Sequence, residues 1–164
     1  MRYKQQKENS GECGPVAIYN VMKWLNKNAN LNAIKKELKC SRDTGTTIAS
    51  MIKFLKKRKV KMSHKRPAKM NDVVLGLQQN KCVLYLYQCD AEEGHYVVFT
   101  GYKKKYNTIY LKAVNEYRNK KHHLVKYIPI KFYNKKAQKY AGTHFINQKE
   151  RIPQAWIIKK KKSE

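Results

Sequence analysis

The sequence predicts an α+β fold, with a helical N-terminal part followed by a C-terminal antiparallel β-sheet. Three observations carry that expectation. Up to about residue 80 the apolar residues recur at helical spacing. From "CVLYLYQ" onward they come in short β-rich runs. Two of those runs, "HYVVFTGY" and "TIYLKAVNEY", are joined by "KKKYN" in the form of a hairpin.

The first helix is predicted to open at "ECGP" and to run over 12–26. Its apolar residues Val16, Ala17, Ile18, Val21, Met22, Trp24 and Leu25 cover more than one stripe, so most of its sides should be buried. Pro15 suits the first turn, where a missing N–H costs nothing. A second helix is expected over 31–40, with Leu31, Ile34 and Leu38 on one side. "SRDTGTT" reads as a loop in which Thr46 or Thr47 caps a third helix, "TIASMIKFLKKRK". Asn71 is the expected cap of a fourth, "DVVLGLQQN". "CVLYLYQ" then reads as a buried strand and "CDAEEG" as the turn before the hairpin, with "LVKYIPIKFY" and "QAWIIK" as further strands. No internal repeat is visible. The expected organisation is a single domain over 1–158, with a helical lobe over 6–80 and a sheet lobe over 81–158, and a basic tail over 159–164.

Charge is the strongest compositional signal. The 164 residues hold 37 Lys and Arg against 11 Asp and Glu, a formal net charge of +26. Residues 101–164 alone have eighteen basic side chains against three acidic ones. Such a field attracts polyanions, and because Lys far outnumbers Arg the association expected is salt-sensitive and blind to base sequence. The same surplus also fits a merely solvated surface. No apolar run is long enough for a membrane span, and the N-terminus lacks the apolar core of a secretory signal. Cys13, Cys40, Cys82 and Cys89 show no C-x-x-C spacing, and the histidines (His64, His95, His122, His123 and His144) offer no metal-ligand pattern with them. Neither a metal nor a cofactor is expected. Reduced thiols point to the cytoplasm or nucleus. "KFLKKRKVK" resembles a nuclear-targeting run but also reads as the solvated face of the third helix.

Cys40, Cys82 and Cys89 sit where structural cysteines sit, at the ends of apolar elements. Cys13 differs, because it lies at a helix N-terminus, where free N–H groups and the helix dipole favour a thiolate. The same N–H groups suit the oxyanion of a tetrahedral intermediate. His95 opens an apolar strand after a turn glycine, and Asn115 and Glu116 end the strand that returns beside it. One of those two can hold a ring nitrogen of His95 and leave the other nitrogen for Cys13. Side chains alternate along a strand, so only one of the neighbours can face the histidine.

The blocks "ECGPVAIYNVM", "GHYVVFTGY" and "AVNEY" resemble, in order, those of the papain-like, bacteriocin-processing (double-glycine) cysteine peptidases and their stand-alone relatives. The resemblance spans about 6–117. It implies a papain-like fold in which Cys13 is the nucleophile and His95 the general base and acid. Asn115 would orient the histidine, or Glu116, which falls where many relatives place an aspartate. The family's oxyanion glutamine lies six residues before the cysteine. Lys7 holds that place here, so the role would pass to Gln6 through a one-residue bulge. No transporter or ATPase segment accompanies these blocks, and the resemblance implies the peptidase chemistry without bacteriocin export.

Two functions follow as expectations. One is a thiol hydrolase, a monomer cleaving peptide or protein substrates at amide bonds. The other is a papain-like scaffold that binds nucleic acid non-specifically through its lysines, with tyrosines interleaved for stacking. A DNA virus particle is a setting that satisfies both.

Overall fold

The computed structural model describes residues 3–4, 11–42, 45–88, 94–115, 126–134 and 153–160. Among the described residues the helices α1 (Cys13–Trp24), α2 (Leu31–Leu38), α3 (Ile48–Lys57) and α4 (Met70–Gln78) accompany six strands. These are β1 (Met62–Lys65), β2 (Cys82–Gln88), β3 (Gly94–Lys105), β4 (Thr108–Ala113), β5 (Lys126–Pro129) and β6 (Gln154–Ile158). They form one sheet in the order β1-β6-β2-β3-β4-β5, every neighbouring pair antiparallel. The expected fold class is the observed one.

The strands at the centre are apolar on both sides along their middle stretches because both faces of the sheet are covered there. Leu84, Leu86, Tyr96, Val98, Trp156 and Ile158 point to the side of α1, where they meet Ala17, Ile18 and Val21. Their immediate neighbours Val83, Tyr85, Val97, Phe99, Ala155 and Ile157 point the other way, toward Val73, Val74 and Leu77 of α4. The helices α2 and α3 extend the first layer through Ile34, Leu38, Met51, Phe54 and Leu55. Arg58 binds both carboxylate oxygens of Glu37, at 3.0 and 2.7 Å, which ties the end of α3 to α2. That hydrogen-bonded guanidinium holds the Glu37 carboxyl at about 2.

Several elements differ from the sequence expectation. Thr47, of the two candidates, caps α3 by accepting from Ser50 N. The fourth helix starts earlier than Asn71 predicts, at Met70, where Asp72 reaches back to accept from Lys69 N at 2.9 Å. β1 was not expected, since "MSHK" has no apolar alternation. It is an edge strand with only Met62 half-buried, so charge along it blunts an open edge. Of the described part of the expected strand "LVKYIPIKFY", Lys126–Pro129 are strand. Residues 130–134 turn into a helix, which drops Tyr133 into the core against Tyr85, Tyr87 and Phe99. The tail over 161–164 lies outside the described residues. No helix among the described residues is long and apolar enough to cross a membrane.

The last strand enters the middle of the sheet, between β1 and β2, and carries Trp156, which is 1% exposed and stacked on His64 at 4.9 Å. Truncating that side chain removes the largest buried group of the α1 layer. Trp156→Ala is expected to lower unfolding free energy by about 3–5 kcal/mol, read from the midpoint of urea denaturation.

Candidate active site

The N-terminus of α1 is built by residues that leave its first turn open. Gly11 takes φ +67°, and a Cβ there would stand 2.8 Å from the Ser41 carbonyl oxygen. Glu12 pairs with Lys35 of α2 and offers its carbonyl to Val16 N at 3.0 Å, the first bond of the helix. Pro15 has no N–H to satisfy. The amides of Cys13 and Gly14 are therefore the first-turn donors without an intrahelical acceptor. Gly14 lies so close to the loop before α3 that a Cβ would meet the Thr46 side chain at 2.6 Å.

His95 is the second residue of β3, 6% exposed, with its ring edge-on to Tyr87 across the β2–β3 ladder at 5.7 Å. Its side chain hydrogen-bonds the Cys13 sulfur, which also receives the backbone N–H groups of Tyr96 and Gly14. Residues eighty-two positions apart in the chain thus meet. Burial pushes the Cys13 thiol up, but the hydrogen bond and charge of His95 and the two backbone donors outweigh it. The net effect is a thiol held below its ordinary range. Cys82 shows the opposite case: fully buried under α1, its thiol is driven far up by desolvation. Cys40 is half-buried and donates to the Gly11 carbonyl at 3.4 Å.

Asn115 stands just past the end of β4 and is fully buried. Its Oδ1 accepts from Val98 N at 2.8 Å and its Nδ2 donates to Tyr96 O at 2.7 Å. The ladder bond from Val114 N to Val98 O lies alongside at 3.0 Å. The carboxamide thus stands in for a peptide unit and prolongs the β4 side of the ladder toward His95. The side-chain contacts found for Asn115 are with the β3 backbone. Gln6, Lys7, Cys89, Glu116, His122, His123 and His144 lie outside the described residues. No group of three His, Cys, Asp or Glu side chains among the described residues could hold a metal ion.

Two contributors escaped the sequence reading. The Tyr96 N–H is a backbone group and leaves no trace in residue identity. Asn20 is buried in α1 and clasps the N-terminal segment, accepting from Lys4 N at 2.8 Å and donating to Lys4 O at 2.9 Å. A polar residue inside the apolar run "AIYNVM" was the available signal for it.

Residues 2–127 match the model of the Peptidase C39 family. The chain belongs to that family. Among solved structures it is similar to the peptidase domain of Streptococcus ComA, a bi-functional ABC transporter involved in a quorum-sensing pathway. That likeness has a TM-score of 0.61 at 16% identity, covering 98% of this chain and 100% of that one. It is also similar to a double-glycine-motif protease from an AMS/PCAT transporter, solved in complex with the leader peptide. There the TM-score is 0.57 at 15% identity, covering 96% of this chain and 91% of that one. At such identities the likeness speaks for the fold, which is papain-like. No curated protein matches the sequence.

Two measurements follow from this geometry. Alkylation of Cys13 by iodoacetamide, followed by mass spectrometry across pH, should turn on below the ordinary thiol range. In His95→Ala the onset should move upward, because desolvation remains while the opposing hydrogen bond and charge are gone. Asn115→Ala leaves a buried N–H and a buried carbonyl of β3 without their acceptor and donor. It should cost about 2 kcal/mol or more by chemical denaturation.

Proposed function

We infer that this chain is a thiol peptidase using Cys13 and His95. The observation that carries the reading is the hydrogen bond between the His95 side chain and the Cys13 sulfur at the start of a buried helix. In the reaction, the Cys13 sulfur attacks the carbonyl carbon of a peptide bond while His95 holds the thiol proton. The carbonyl oxygen takes up the negative charge, against the first-turn N–H of Cys13 and the Gln6 side chain. Collapse of this intermediate breaks the C–N bond, and His95 gives its proton to the departing amine. A water then attacks the thioester with His95 as base, releasing the carboxylate and restoring the thiol.

For the group that orients His95, the engagement of the Asn115 carboxamide with Tyr96 and Val98 favours Glu116 over Asn115. Asn115 then acts as a positioning residue that holds the start of β3 in register. Peptides are the proposed substrates, in keeping with the leader-peptide complex of the double-glycine protease.

The test is hydrolysis of a fluorogenic peptide library that includes Gly-Gly junctions. His95→Ala should lower kcat/KM by about 10²–10⁴, and Cys13→Ala should remove covalent turnover. Glu116→Gln should lower kcat with little change in stability. If no peptide is cleaved while Cys13 still titrates as an acidic thiol, the peptidase assignment is wrong, though the site geometry stands.

A further inference from the structure

The distal half of the hairpin carries a surface that the catalytic reading does not use. On β3–β4–β5 the register sets Lys103 opposite Tyr110, Lys105 opposite Thr108 and Lys112 opposite Tyr127. Alternation places these side chains on one face, the opposite of Leu111 and Ile128, which are buried on the α4 side. At that end the face is open. Tyr106 at the tip is 87% exposed and Tyr127 44%, and Lys103 and Lys105 are exposed as well. The rings and ammonium groups interleave: Lys103 Nζ lies 4.0 Å from the Tyr127 ring centroid, and Lys105 Nζ lies 5.6 Å from that of Tyr106.

Residues 94–115 and 126–134 contain no Asp or Glu. The ion pairs found all lie on α2, α3 and the entry to α1, so among the described residues none neutralises this face. Exposed rings are a cost to a monomer in water unless something covers them. Lysines without counter-charges between them say that the cover is anionic. Same-face residues two apart along a strand are about 6.8 Å apart, and adjacent strands about 4.8 Å, so rings and charges alternate at close range across the face.

We propose that this face of β3–β4–β5 binds single-stranded nucleic acid, with lysines on phosphates and Tyr106 and Tyr127 stacked on bases. A single strand is the occupant that uses both features. Duplex bases are stacked inside the helix and cannot meet the rings, while an acidic peptide has charge but offers no regular π-faces. Lys in place of Arg suits phosphate contact without base reading, so the binding is sequence-tolerant and falls steeply with salt.

The experiment is fluorescence anisotropy of labelled dT20 with the full chain over a salt series. The variants are Lys103→Glu/Lys105→Glu/Lys112→Glu, Tyr106→Ala/Tyr127→Ala, and a charge-matched control on the helices, Lys36→Glu/Lys53→Glu/Lys56→Glu. Melting curves check folding. The hairpin charge variant should weaken binding at least about tenfold and flatten the log K against log salt slope by about 2. The tyrosine variant keeps all charges and should weaken binding at least about fivefold. The helix control should change it far less. Should the hairpin charge variant fail to fold, the tyrosine variant and ultraviolet cross-linking of dT20 to the hairpin peptides carry the test. The proposal is overturned if wild-type protein does not bind dT20, or if the helix control weakens binding as much as the hairpin variant. Tighter binding of duplex or of poly-glutamate, with the tyrosine variant unaffected, overturns it equally.

Discussion

The structure depends on the burial of α1 flat against β2 and β3. Almost every residue from Gly14 to Met22 is out of water, and the apolar ones lock onto Leu84, Leu86, Tyr96 and Val98. Packing at that density leaves the helix little freedom to slide or turn. Its N-terminus is therefore delivered to one place, the start of β3. The close approach of Gly14 to Thr46 and of Gly11 to Ser41 sets the same end against the loop before α3. The contact between the Cys13 sulfur and His95 is a by-product of this packing.

Burial alone would make Cys13 inert, as it makes Cys82. What separates the two thiols is the supply of donors. Cys82 sits within a strand whose neighbours are aliphatic and aromatic, so desolvation far outweighs the lowering by the Lys160 charge. Cys13 sits at the open end of a helix and beside a strand start, where Gly14 N–H, Tyr96 N–H and the imidazole converge. Those donors need their own support. Asn115 occupies the Tyr96 carbonyl and the Val98 amide, the polar groups of β3 that flank the contact on the β4 side. Asn20 does the same for the N-terminal segment at Lys4. Both buried asparagines behave as detached peptide units, each giving one hydrogen bond and taking one, which is how a buried carboxamide avoids a desolvation penalty.

Much of the fold was legible because its helices and central strands carry their signals locally. The four helices, β2, the hairpin and β6 follow from period and from turn residues. What escaped has physical causes. β1 has no apolar pattern because it is an edge strand with one half-buried residue. The end of "LVKYIPIKFY" carries strand-forming residues yet becomes helical, because Tyr133 is drawn into an aromatic cluster with Tyr85, Tyr87 and Phe99. The position of β6 between β1 and β2 is set by which faces remain to be covered, and no local window contains that information. At the site, Cys13 and His95 stood out by their places at element starts, whereas Asn115 was only slightly favoured over Glu116 on sequence.

The sequence by itself determined the α+β class, the basic character of the chain, and Cys13 and His95 as the residues to watch. These depend on composition and on spacing within a few turns of chain. Only the tertiary structure decided the strand order, the engagement of Asn115 with backbone, and the direction in which the Cys13 thiol is displaced. That direction is a difference between desolvation, which raises, and three donors from α1 and β3, which lower. Its sign exists only once residues from distant parts of the chain share one small volume.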